Sequence, residues 1–219
     1  MASFKSIALF FAIALFLCSW HLDDGPNDNT VSRGAMVVAM AEYGTMCIDP
    51  WKDLTGDKAV IDGHYYCDKA PLPELVMVPV WWLARHTGWK GPAPTDMRPF
   101  DLLRMASFIC ASIPFALIVT LLWLRVRREH AFTSAALIAA LPLFGSFLFV
   151  FSGSFLGHLM GAAFLLGAWI AIERAKPMLA GALCGAAVLC EYPLALFAAW
   201  WFGGYLLMRD RSNAKRMAL

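Results

Sequence analysis

Apolar residues gather into six blocks, at about 4–20, 72–87, 101–124, 133–151, 154–173 and 178–207. One long polar stretch, residues 21–71, interrupts them. Several blocks approach the roughly 20 residues that carry a helix across a bilayer. The pattern predicts an all-α fold, a polytopic transmembrane helical protein with a large first extracytoplasmic loop containing an interfacial helix. A single membrane domain over residues 1–219 is expected. It comprises a first transmembrane helix at 4–20, the loop at 21–71, further transmembrane or re-entrant helices at 72–207 and a polar tail at 208–219. Gly157, Gly161, Gly181 and Gly185 suit close helix approach, because small residues let membrane helices pack tightly.

Composition strengthens this picture. Of the 219 residues, 60% are hydrophobic and 16% charged, against roughly 45–50% and 25% in soluble domains. The net charge of +2 forms no basic face of useful density, so a nucleic-acid partner is not expected. The first block follows Lys5 and has the outline of a signal peptide, but no Ala-x-Ala site follows it. An uncleaved helix is the expectation. Lys5 inside then puts residue 21 onward outside.

Topology turns on the second block. If every block spans once, Arg125, Arg127 and Arg128 lie outside, against the bias of Lys and Arg towards the cytoplasm. The apolar part of that block is short and carries Pro73 and Pro79. If it dips in and returns, Arg125–Arg128 and the segment 173–176 move inside, while His158 and the turn at 152–154 face outward. Both arrangements stand at this stage. In the last block Glu191-Tyr192-Pro193 predicts a broken helix, since proline removes a helical hydrogen bond. A Glu at that depth is costly.

The loop holds most of the candidate chemistry. Residues 35–43 have helical composition, and Gly44 is placed to end that helix. Asp62-Gly63 is a turn dipeptide. Carboxylates are frequent, at Asp23, Asp24, Asp28, Asp49, Asp53, Asp57, Asp62 and Asp68. Arg33, Lys52, Lys58, Lys69 and His64 accompany them. Carboxylates act as general bases or hold divalent cations, and a lysine at a membrane surface holds a phosphate as a point charge. The competing reading is a solvated loop whose charges serve solubility. Cys18, Cys110, Cys184 and Cys190 lie in apolar blocks, where cysteine behaves as a small hydrophobe. Cys47 and Cys67 share the loop, in a compartment that permits disulfides.

Three stretches resemble the GT-C superfamily of membrane glycosyltransferases, which use polyprenyl-phosphate-linked sugars. They are Asn27-Asp28-Asn29-Thr30-Val31-Ser32-Arg33, Tyr66-Cys67-Asp68-Lys69-Ala70-Pro71-Leu72 and the Gly-rich run 179–189. Protein O-mannosyltransferases and lipid A aminoarabinose transferases belong to that superfamily. An uncharacterised bacterial branch is similar through Thr55-Gly56-Asp57-Lys58 and through Asp62-Gly63-His64-Tyr65-Tyr66 to Pro71.

The resemblance implies roles position by position. Asp28 would be the catalytic base for the acceptor, with Asp23 or Asp24 as substitutes because its spacing to Arg33 is long. Lys69 and Arg33 would contact the lipid phosphate, and Asp68 would be a metal ligand, so a divalent metal ion is the expected cofactor. His64, Tyr66, His158 and Glu191 are further candidates. The implied partners are the polyprenyl-phosphate sugar donor and the lipid bilayer, and the implied location is the cell (inner) membrane. GT-C enzymes usually carry more helices, so a truncated or partial enzyme is expected, with a C-terminal half encoded separately. The alternative is a non-catalytic multi-pass membrane protein, a degenerate relative or a subunit of a split enzyme. A transporter would place paired ionisable residues along a central path, and Glu191 is the clearest residue of that kind.

Overall fold

A computed structural model describes residues 3–22, 27–88, 100–201 and 203–204. The chain is mostly helical, with 74% of it in helix. Helix α1 spans Phe4–Cys18, and the Ser3 hydroxyl caps it by accepting from the Ser6 N–H at 3.2 Å. Helix α2 spans Asp28–Tyr43 and opens on a capping box. The Asn27 side chain accepts from the Thr30 N–H at 3.0 Å, and the Thr30 hydroxyl accepts from the Asn27 N–H at 3.1 Å. Two otherwise orphaned donors are thereby satisfied. Gly44 ends the helix in the left-handed region, at φ 64°.

Helix α2 is longer than the 35–43 segment the composition predicts, and it is enclosed. Every residue from Thr30 to Ala39 is buried. It therefore lacks the solvent face of an amphipathic surface helix along that stretch. Gly34, Ala35 and Ala39 have little side chain to separate it from neighbours on either flank.

A 3-10 turn at Asp49–Leu54 follows, then strands β1 (Ala59–Ile61) and β2 (His64–Tyr66). These pair antiparallel, Ala59 with Tyr66 and Ile61 with His64. This small hairpin departs from the all-α expectation. Its cause is Asp62-Gly63, both at positive φ (52° and 84°), the conformation that matches a two-residue turn to strand twist.

Helix α3 spans Leu72–His86. It runs parallel to α2: Arg33 meets Glu74 near their starts, and Glu42 meets Trp81 and Arg85 near their ends. Helices α4 (Phe100–Ser107) and α5 (Ile113–Val126) join through a π-helical turn at Phe108–Ser112. Over Asp101–Val126 they form one helix of 26 residues with mean hydropathy 2.3, long and apolar enough to cross a membrane. The core helix of a soluble protein meets the same measure. Among the described residues, four other apolar helices are shorter.

Block four divides into α6 (Phe132–Phe144) and α7 (Phe147–Phe151), parted at Gly145-Ser146. Helices α8 (His158–Glu173) and α9 (Pro177–Cys190) form an antiparallel hairpin. A Cβ on Gly157 would collide with the Cys190 carbonyl oxygen, and one on Gly161 would press on Leu194. These two glycines hold the helices together. The break expected at Glu191-Tyr192-Pro193 is present, and helix resumes at 194.

The bundle has two distinct ends. Helix α1 is antiparallel to α5, with Cys18 against Ser112 and the Phe10 ring stacked on Trp123 at 4.4 Å. Helix α8 is parallel to α5, with Arg125 on Glu173 at 2.6 Å. One end therefore carries Arg125, Arg127, Arg128, Glu173 and Arg174. The other carries the C-terminus of α1, the N-terminus of α8 and the break after α9. Helices α2, α3 and α4 gather at that second end, where Met36, Met77, Trp81, Leu102 and Leu103 share a core with Phe155 and Cys190. The second apolar block, as α3, thus packs with α2 and α4 at this end of the bundle.

Candidate functional site

Arg33 is the centre of the loop-side end. It is 1% exposed, and its donors are engaged around the guanidinium. Nε donates to Asn29 Oδ1 at 2.9 Å. One terminal nitrogen donates to the Ala70 carbonyl at 3.2 Å and to Glu74 Oε1 at 2.7 Å, and the other to Glu191 Oε1 at 3.2 Å. Glu191 in turn meets His158 Nδ1 at 3.1 Å. Four separated segments are joined: α2, the start of α3, the α9 break and the first residue of α8. The break serves this network, because an extended Glu191 (φ −153°) can turn its carboxylate back to both Arg33 and His158. The Gly157 position is needed too, since a Cβ there would lie 2.8 Å from Glu191 Oε1.

The resemblance implies that Arg33 contacts the lipid phosphate or orients the acid; the side chain is buried and paired with the carboxylates of Glu74 and Glu191. Glu74, fully buried, was absent from the expected residues. Its signal was a lone acid at the start of an apolar block, a costly placement that calls for a paired cation.

Asp28 and Lys69 flank one turn. Asp28 is exposed in the first turn of α2, where a carboxylate favours the positive end of the helix. The Thr55 hydroxyl donates to the Asp28 carbonyl at 2.7 Å, and the Asp57 N–H donates back to that hydroxyl at 3.0 Å. A Cβ on Gly56 would sit 2.8 Å from Asp28 Oδ2, so glycine leaves the space that the carboxylate occupies. In the same turn, Asp57 meets Lys69 Nζ at 3.0 Å, and Asp68 meets it at 3.1 Å. Partial burial pulls the Lys69 ammonium down, and the two carboxylates outweigh it, so Lys69 lies above its ordinary value. Asp68 faces a lysine in this arrangement. Asp23 and Asp24 lie outside the described residues.

A third cluster surrounds His64. Its Nδ1 donates to Asp49 Oδ2 at 2.7 Å and lies 3.9 Å from Cys47 Sγ. The Tyr65 N–H donates to the other Asp49 oxygen at 2.7 Å. These two hydrogen bonds, His64 first, bring the Asp49 carboxyl down to about 2. Tyr66 ends β2, half-buried, and bridges Cys47 through the backbone. Cys67 points instead towards Glu74. Burial pushes its thiol up, and both loop cysteines are free. Among the described residues, Cys47, Asp49 and His64 are the group whose donor atoms are close enough together to hold one metal ion.

Comparison with family models, with curated proteins and with solved structures finds no match to this chain. What remains are the motifs of the sequence and the geometry of these clusters. That geometry unites Arg33, Glu191 and His158, sets Asp28 and Lys69 about one turn, and leaves His64 in a cluster of its own.

Proposed function

We propose that the chain is a multi-pass protein of the cell (inner) membrane, and that it contributes the donor-phosphate and base region of a glycosyltransferase of GT-C type. The reaction moves a sugar from a polyprenyl-phosphate donor to an acceptor on the extracytoplasmic side. The acceptor oxygen or nitrogen attacks the anomeric carbon, the bond from that carbon to the phosphate oxygen breaks, and Asp28 takes the acceptor's proton. Lys69 stabilises the departing lipid phosphate. One observation carries the reading: the Thr55–Asp57 turn bonds the Asp28 backbone through the Thr55 hydroxyl and Lys69 through the Asp57 carboxylate, so an acid and a cation adjoin one turn. The membrane placement draws support from the bundle's two ends. The arginines at 125, 127, 128 and 174 share the end remote from the loop, as the positive-inside bias requires. Large apolar side chains stay exposed around the helices, among them Leu9, Phe16, Leu141, Phe147, Leu196 and Trp200.

The test is transfer from a labelled polyprenyl-phosphate sugar in membranes carrying the intact locus, with and without this chain. Asp28→Asn and Lys69→Ala each abolish transfer while membrane insertion persists. Full activity in both variants would sink the assignment. A second reading, a non-catalytic membrane subunit, is favoured by the pairing of Lys69 with Asp57 and Asp68, which leaves that cation neutralised within the loop. It predicts that transfer depends on the chain's presence but on neither of those side chains.

A further inference from the structure

We infer that Cys47, Asp49 and His64 form a binding site for a divalent cation of the zinc class. The three donor atoms, a sulfur, a carboxylate oxygen and an imidazole nitrogen, all lie within 4.8 Å of one another. They come from separate places: two residues before the 3-10 turn, its first position and the first position of β2. The backbone fixes this meeting. Cys47 bridges Tyr66, the Ile48 N–H donates to the Tyr65 carbonyl at 2.8 Å, and the Tyr65 N–H holds the second Asp49 oxygen. That last bond orients the ligating carboxylate from outside, as supporting hydrogen bonds do in metal sites.

The distances are close to those a tetrahedral ion needs. With a metal–sulfur bond of about 2.3 Å and metal–nitrogen and metal–oxygen bonds of about 2.0–2.2 Å, neighbouring ligand atoms stand roughly 3.3–3.7 Å apart. His64 Nδ1 and Asp49 Oδ2 are 2.7 Å apart, and Nδ1 and Cys47 Sγ are 3.9 Å apart. Side-chain rotations of roughly half an ångström bring both into range. Binding releases the Cys47 thiol proton. The proton on His64 Nδ1 leaves that nitrogen, and the neutral ring carries its proton on Nε2, which solvent reaches because His64 is exposed. Thiolate and imidazole select zinc-like ions over calcium and magnesium, which take oxygen. Three protein ligands leave a fourth position open to water.

This site is separate from Asp28 and Lys69, and its test does not depend on transfer. The full chain is purified in detergent, reduced, stripped with chelator and titrated with Co²⁺. One equivalent binds and gives thiolate-to-cobalt charge-transfer absorption, and Zn²⁺ displaces it. Cys47→Ser removes that absorption, and Cys67→Ser retains it. Asp49→Asn and His64→Ala each weaken Co²⁺ binding by at least about tenfold. In the unsubstituted chain, Zn²⁺ slows alkylation of Cys47 but not of Cys67, which needs no folded variant. Absence of the charge-transfer absorption, its survival in Cys47→Ser, its loss in Cys67→Ser, or unprotected alkylation of Cys47 would each overturn the inference.

Discussion

Arg33→Met isolates what the buried network contributes. The substitution keeps an unbranched, apolar side chain in α2 and removes the cation. Glu74, 0% exposed, loses its ion pair, Glu191 loses one of two, and Asn29 and the Ala70 carbonyl each lose a donor. Removing one partner of a buried pair costs about 3–5 kcal/mol, because the remaining charge is stranded. At 1.4 kcal/mol for each factor of ten, that is about a hundredfold or more in the folded ratio. Glu74→Met added to Arg33→Met removes the stranded charge, and Glu191 keeps His158. Replacing both members of such a pair with apolar residues is often near neutral. The double variant should therefore recover about 2 kcal/mol over the single one, short of full recovery because the Asn29 and Ala70 groups each cost about 1 kcal/mol. Unfolding of the full chain in mixed micelles, followed by far-UV circular dichroism, reads all three proteins. A loss below about 1 kcal/mol for Arg33→Met, or a double variant no better than the single, would refute the electrostatic account.

Other expectations follow from single positions. Gly56→Ala pushes only the mobile end of the Asp28 side chain, so stability changes by less than about 1 kcal/mol; if Asp28 is the base proposed above, sugar transfer falls, and transfer at the unsubstituted rate would separate Asp28 from the chemistry. Gly157→Ala meets the Cys190 backbone carbonyl and costs about 1–3 kcal/mol by overpacking; an unchanged unfolding midpoint would contradict the close α8–α9 approach. Asp49 titrates at about 2 in the fold against an ordinary 3.8. Its depressed value means that its stabilisation of the hairpin is present above the ordinary value and is lost as pH falls towards the folded one. The Tyr65 amide resonance should report this step, and Asp49→Asn should abolish it. A midpoint at the ordinary carboxyl value would show that the His64 contact does not form.

The helical blocks were legible because apolar runs of this length admit few other structures, and Gly44 and the Glu191-Tyr192-Pro193 break announced their own ends. The extent of α2 was not. Its first turn is the polar Asp28-Asn29-Thr30, which hydropathy assigns to the loop, and only the Asn27–Thr30 capping box marks the start. Asp62-Gly63 was readable as a turn, but the strands beside it are only three residues each, too short for alternation to show. Side-chain alliances were the least visible. Arg33, Glu74, Glu191 and His158 are drawn together by the cost of burying charge, a force that leaves no spacing pattern along the chain. Asp57 looked like any of the loop's carboxylates until its contact with Lys69 set it apart.

The bond from Arg33 to Glu191 spans 158 positions, and a chain is synthesised from one end. At about 5–20 residues per second, roughly 8–30 s separate the emergence of the two partners. Until Glu191 emerges, Arg33 has Asn29, the Ala70 carbonyl and, as its one carboxylate, Glu74, and the loop-side core lacks Cys190. The loop is therefore made well before the segment that locks it. A ribosome pausing within the α8–α9 hairpin would prolong the time in which Asp28 and Lys69, about the Thr55–Asp57 turn, are exposed before their foundation is complete.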